Sequence, residues 1–233
     1  MAGLASRDDD DAVRDYLDLA AIFTSPIPVL GGAVSNVLAG WSQNRRYQRI
    51  REALEQLNQN LVQVRHSLDE DYLRGGEFED LLDQTLRRVA AERSEEKRRL
   101  YAAFLTGAVI SPGEPYHEQL RLLRTLEELQ PDHVRIVRAM LQKPRDAPPR
   151  TGGISTRGLT SFGHTLQERL PDIPPERLTE LAKQLTDELR VVTVGHSLDK
   201  MQVPQRAMDL RNEFTSYGRR LVAYILAATQ IGE

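Results

Sequence analysis

Between Tyr47 and Leu68 the apolar residues Tyr47, Ile50, Leu54, Leu57, Leu61, Val64 and Leu68 recur at alternating steps of three and four. An α-helix brings residues at that spacing onto one stripe, and three unbroken heptads make a seam that demands a partner helix. The spacing predicts a helix from Arg45 to about Glu70, packed against another helix of this chain or of a second copy. Gly75-Gly76 supplies a turn, and a second long helix is expected from about Glu77 to Ala108, opening with Phe78, Leu81, Leu82, Leu86 and Val89. Its middle, residues 92–99, has no apolar side chain over two turns. That part must protrude or cross a polar gap, supported by pairs such as Glu95 with Arg98 and Arg99. The stretch from Ser111 to Pro115 ends it, and a shorter helix is expected from Tyr116 to Leu129. Residues 12–129 thus read as an antiparallel helical bundle built on a long hairpin.

Ahead of the seam lies a segment of unusual composition. Residues 1–11 are small and acidic, ending in Asp8 to Asp11, and read as a disordered tail. Such a start has the wrong charge for a secretory signal and is too acidic for a transit peptide. The chain has no cysteine, which removes disulfides and thiolate zinc sites and makes the cytoplasm the expected compartment. A short helix is expected from Asp11 to Phe23, ended by Pro26 and Pro28. No charged residue occurs between Asp18 and Arg45. The length would span a bilayer as a helix, but Thr24, Ser25, Pro26, Pro28, Gly31 and Gly32 interrupt it. After Pro28, the residues Leu30, Val34, Val37, Leu38 and Trp41 fall on one helical stripe. That stripe is either buried in the bundle or a membrane-contacting face.

The second half differs. Pro131 opens a helix through His133, Val134, Ile136, Val137, Met140 and Leu141, with proline in its favoured early position. Residues 143–153 form a proline-rich loop. A helix is expected over Leu159 to Leu170, and another from Pro174-Pro175-Glu176 with Leu178, Leu181, Ala182, Leu185 and Leu189 on one face. That helix runs straight into Val191-Val192-Thr193-Val194, the clearest β-strand pattern in the chain. A last helix covers about Tyr217 to Thr229. Three helices, a strand and a loop are the order of a winged helix-turn-helix.

The run from Leu181 through Leu189 to Val192 resembles the third helix of winged-helix domains entering the wing. Phe214-Thr215-Ser216-Tyr217-Gly218-Arg219 resembles the Leu-Thr-x-x-Gly-Arg step that closes such domains, with Phe214 in place of the usual leucine. A helical bundle followed by this ending is similar to bacterial proteins of the Abi-alpha type. That resemblance implies a role in abortive phage infection, and a membrane-active effector whose residues 19–41 leave the bundle and insert into lipid.

Charge is divided unevenly along the chain. Residues 1–130 hold 16 Lys/Arg against 22 Asp/Glu, and residues 131–233 hold 15 against 12. The second half is therefore the only candidate face for nucleic acid, with Arg177, Lys183 and Arg190 as the contacts on its third helix. Glu176, Glu180, Asp187 and Glu188 share that segment and make a poor surface for a DNA groove. The search for chemistry gives little. The histidines His66, His117, His133, His164 and His196 include no pair at metal-ligand spacing. His133 reads as a core or capping residue. No Gly-x-Ser-x-Gly elbow or lysine-containing phosphate loop occurs, and Gly152 to Gly158 lacks the Lys-Ser/Thr pair that holds phosphate.

The sequence therefore reads as a mainly α protein. A tail at 1–11 precedes a bundle at 12–129 and a winged-helix-like domain at 130–233. The expected function is non-catalytic binding or effector action, in the setting of phage defence. It would act through self-association or partner binding along the seam Tyr47, Ile50, Leu54, Leu57, Leu61, Val64 and Leu68. The alternatives are the membrane-active effector and a winged-helix DNA-binding regulator. A protein partner or homo-oligomer is expected, a membrane comes next and nucleic acid last. No metal, cofactor or small-molecule ligand is implied.

Overall fold

The computed structural model describes residues 45–111, 113–142, 162–193 and 209–226, and these are mainly helical. The tail at 1–11, the helix expected over 11–23, the uncharged segment and the loop at 143–153 lie outside the described residues. Two compact units emerge: residues 1–127 with 222–233, and residues 128–221. The expected boundary at 129/130 put everything after it into one domain, whereas the end of the last helix belongs to the first unit.

In the first unit, α1 spans Arg45–Gln63, α2 Glu70–Leu73, α3 Gly76–Ala91, α4 Glu95–Ile110 and α5 Tyr116–Glu128. The seam finds its partner inside the chain. Ile50, Leu54, Leu57 and Leu61 are wholly buried, with Tyr47 and Val64 nearly so, and α1 packs against α4 and α3. A buried leucine contributes roughly 1.5–3 kcal/mol relative to an exposed one, so this stripe is a main source of the unit's stability. The helix stops short of the expected Glu70. A 3-10 turn follows at Arg65–Ser67, and Leu68 is extended and only half-buried. Arg65, His66 and Ser67 are all exposed, so this stretch has no apolar face to hold a further α-turn against the core.

The long second helix is in fact two. Residues 92–94 break it, with Glu92 and Ser94 extended. Ser94 caps α4 through its hydroxyl, which accepts the Lys97 N–H at 3.3 Å, and Glu95 and Glu96 occupy the first turn. Both features favour a helix start, because they satisfy free N–H groups and complement the helix dipole. The Glu92 carboxylate accepts the Ser94 N–H at 2.8 Å and closes the corner. The polar run therefore neither protrudes nor bridges a gap; it turns a corner. Arg99 pairs with Glu95 as expected, whereas Arg98 reaches Glu52 of α1 at 2.7 Å.

After the corner α4 is buried continuously from Leu100 to Val109. Gly107 explains how a neighbour gets so close: a Cβ there would lie 2.6 Å from the Cα and carbonyl oxygen of Tyr224. The Tyr224 ring meets Phe104 with centroids 5.4 Å apart. The wholly buried Gln119 of α5 accepts the Tyr72 hydroxyl at 2.5 Å and donates to the Glu114 carbonyl at 3.2 Å, so its amide is satisfied at both ends.

The second unit contains α6 (Pro131–Leu141), α7 (Phe162–Arg169), α8 (Pro175–Lys183) and the first residues of α9 (Ser216–Leu226). The apolar face Leu178, Leu181, Ala182, Leu185 and Leu189 is buried. It continues beyond α8 through a π turn at Gln184–Glu188. Arg190 then takes a left-handed backbone at φ 55, which ends the helical run ahead of Val191 and Val192. The strand expected at Val191 to Val194 is reduced, among the described residues, to one antiparallel bridge between Val192 and Phe214. Thr193 donates to the Glu213 carbonyl and Thr215 to that of Val191, at 2.7 and 3.0 Å. Gly218 permits this closure, because a Cβ there would collide with the Val191 carbonyl oxygen.

Candidate interaction surface of the second unit

The sequence candidates fare differently. Leu30, Val34, Val37, Leu38 and Trp41, the proposed membrane contacts, lie outside the described residues. Among the described residues no helix is long and apolar enough to cross a membrane, and no cluster of His, Asp or Glu could hold a metal ion. The seam is covered by the chain's own helices, which corrects its reading as a surface for a second copy. Only half-buried Leu68 keeps appreciable exposure.

The nucleic-acid candidates lie on one segment but do not act as one cationic group. Arg177 is half-buried and donates to the Glu180 carboxylate at 2.8 Å and to the Gln130 side-chain oxygen at 2.9 Å. Lys183 and Arg190 are exposed, as are Glu176, Glu180, Asp187 and Glu188 around them. Other arginines of the unit are also bonded within the fold. Arg169 donates to the Ala139 and Gln142 carbonyls, at 2.5 and 3.2 Å, at the end of α6. Arg135 bonds Asp172 at 2.5 Å, and Arg219 donates to the Phe214 carbonyl at 2.8 Å. The Asp172 carboxyl is held below its ordinary range by the hydrogen bond from Arg135. Guanidinium groups that satisfy carbonyls and carboxylates have fewer N–H groups left for phosphate.

The start of α6 holds a buried histidine bonded at both of its ring nitrogens. His133 stands at the third helical position, 2% exposed. Its Nδ1 lies 3.1 Å from the backbone nitrogen of Gln130, and its Nε2 2.9 Å from the side-chain oxygen of Gln184, the first residue of the π turn. Burial pushes the imidazole below its ordinary value; the hydrogen bond to Gln184 works against that shift and Arg177 reinforces it. The sequence reading of His133 as a core or capping residue therefore describes both of its roles. The contact with Gln184, 51 residues away, was not legible. The only signal was Gln130 followed three residues later by His133, the spacing of a capping box.

Comparison with known protein families, with curated proteins and with solved structures gives no match.

Proposed function

We propose that this chain is a non-catalytic binding protein in which an antiparallel helical bundle carries a winged-helix-like module that engages protein rather than DNA. The order α6, α7, α8, followed by the Val192–Phe214 bridge and the close approach at Gly218, supports the winged-helix reading of the second unit. The single observation that carries the choice of partner is the state of the cations. Arg177 is paired to Glu180, and exposed acids surround Lys183 and Arg190. A DNA reader needs its cations directed at phosphates, and a winged helix alone does not supply that. The resemblance to abortive-infection proteins adds phage defence as the setting.

Titration of a fluorescent DNA duplex with the full chain tests the reading. Affinity is expected to be no better than the weak end of non-specific binding, about 100 µM, at physiological salt. Replacing Arg177, Lys183 and Arg190 together by alanine is expected to change nothing. Submicromolar binding that weakens steeply with salt, and is lost in the triple variant, would establish the DNA-binding alternative instead. For the defence setting, expression in a phage-sensitive bacterium should lower plating efficiency, and unchanged plating would remove that part.

A further inference from the structure

His133 uses its two ring nitrogens in opposite senses. The backbone N–H of Gln130 points at Nδ1, so Nδ1 must be the bare, accepting nitrogen. In a neutral ring the proton then sits on Nε2, which donates to the Gln184 oxygen. One tautomer satisfies both bonds. A second proton can go only onto Nδ1, where it would meet the Gln130 N–H donor to donor. With the side chain 2% exposed, water cannot take over the broken contact without the site opening.

We propose that His133 is a pH-sensitive latch on the start of α6: while the ring is neutral Nδ1 holds the Gln130 N–H, and a proton on Nδ1 breaks that contact while the Nε2–H bond to Gln184 stays in place. Beyond the reading as a binding protein, the latch gives the start of α6 a way to respond to acidification. Its geometry stands whatever the unit binds. The charged groups facing the ring come from each of the elements it joins. Asp132 on α6 and Glu188 on the π turn favour the proton, Arg177 on α8 opposes it, and burial outweighs them all. Arg177 also donates to the Gln130 side chain, so loosening Gln130 disturbs a second link to α8.

The sign of the response is set by the lowered folded value. Between that value and the ordinary one near pH 6.5, the unfolded or opened chain binds the proton and the closed form does not. Latch stability is therefore complete above about pH 6.5 and falls as the pH drops, by up to tenfold in the opening equilibrium per pH unit. It levels off once the folded ring itself is protonated.

Nitrogen-detected NMR titration of the full chain, labelled at histidine and backbone, tests this. The His133 ring is expected as the Nε2–H tautomer at neutral pH and to titrate below pH 6.5. The amides of residues 130–134 should move with the His133 midpoint. In His133→Asn, whose side-chain oxygen can accept the Gln130 N–H without titrating, hydrogen-exchange protection at these amides should lose its extra pH dependence between pH 7 and 5. An Nδ1–H tautomer, amides at 130–134 that stay still through the His133 titration, or a His133→Asn variant with the wild-type pH profile would each overturn the latch. Should that variant fail to fold, the wild-type titration alone decides.

Discussion

Truncating the seam from within separates an internal core from an intermolecular interface. Leu57 lies at the middle of α1 with no exposed surface, between the equally buried Leu54 and Leu61. Leu57→Ala removes the buried part of one leucine side chain and leaves a cavity between α1 and the helices it packs on. Both the lost transfer energy and the cavity oppose folding, for a cost of about 2–5 kcal/mol. Against a urea dependence of about 1–3 kcal/mol per molar, a loss near 3 kcal/mol lowers the unfolding midpoint by roughly 1–3 M. Far-UV circular dichroism reads this directly, because the first unit is helical. Measured at two protein concentrations a hundredfold apart, the midpoint should not move, since the partner helices belong to the same chain. A loss under 1 kcal/mol, or a concentration-dependent midpoint with a folded monomer left behind, would refute the assignment of the seam to the internal core.

The remaining expectations concern single contacts. Gly107→Ala should destabilise despite alanine's helix propensity advantage of about 1 kcal/mol, because its Cβ would meet the Tyr224 backbone at 2.6 Å; a raised melting temperature would contradict that approach. Gly218→Ala should have a still larger effect on the second unit, where the Val191 carbonyl stands even closer to the new Cβ, and proteolysis of that unit would report it. Ser94→Ala removes the α4 cap and should cost about 1 kcal/mol in chemical unfolding, whereas a continuous helix through residues 92–94 would lose nothing or gain.

The apolar pattern carried most of the helical layout. The seam of α1 and the face Leu178, Leu181, Ala182, Leu185 and Leu189 were both legible, because burial along a helix leaves a periodic trace. The corner at residues 92–94 was missed although Ser94 with two glutamates behind it is a helix-start signal. A charged run with good helix propensity masked it. The end of the helical run near Arg190 depends on one left-handed residue and a π turn, neither of which has a composition signature. Which cations face outward was not legible at all. Arg177, Arg135 and Arg169 resemble Lys183 in sequence, and only tertiary partners such as Gln130, Asp172 and the Ala139 carbonyl distinguish them.

The side-chain Nε–H signals of Arg135, Arg169 and Arg177 in the free chain, followed as a DNA duplex is added, test most directly whether the second unit's cations serve the fold rather than a nucleic acid. Restrained guanidinium rotation in the free protein, and no shift with the duplex in tenfold excess, is the expected result. Freely rotating groups that become ordered and shift on adding the duplex would contradict it.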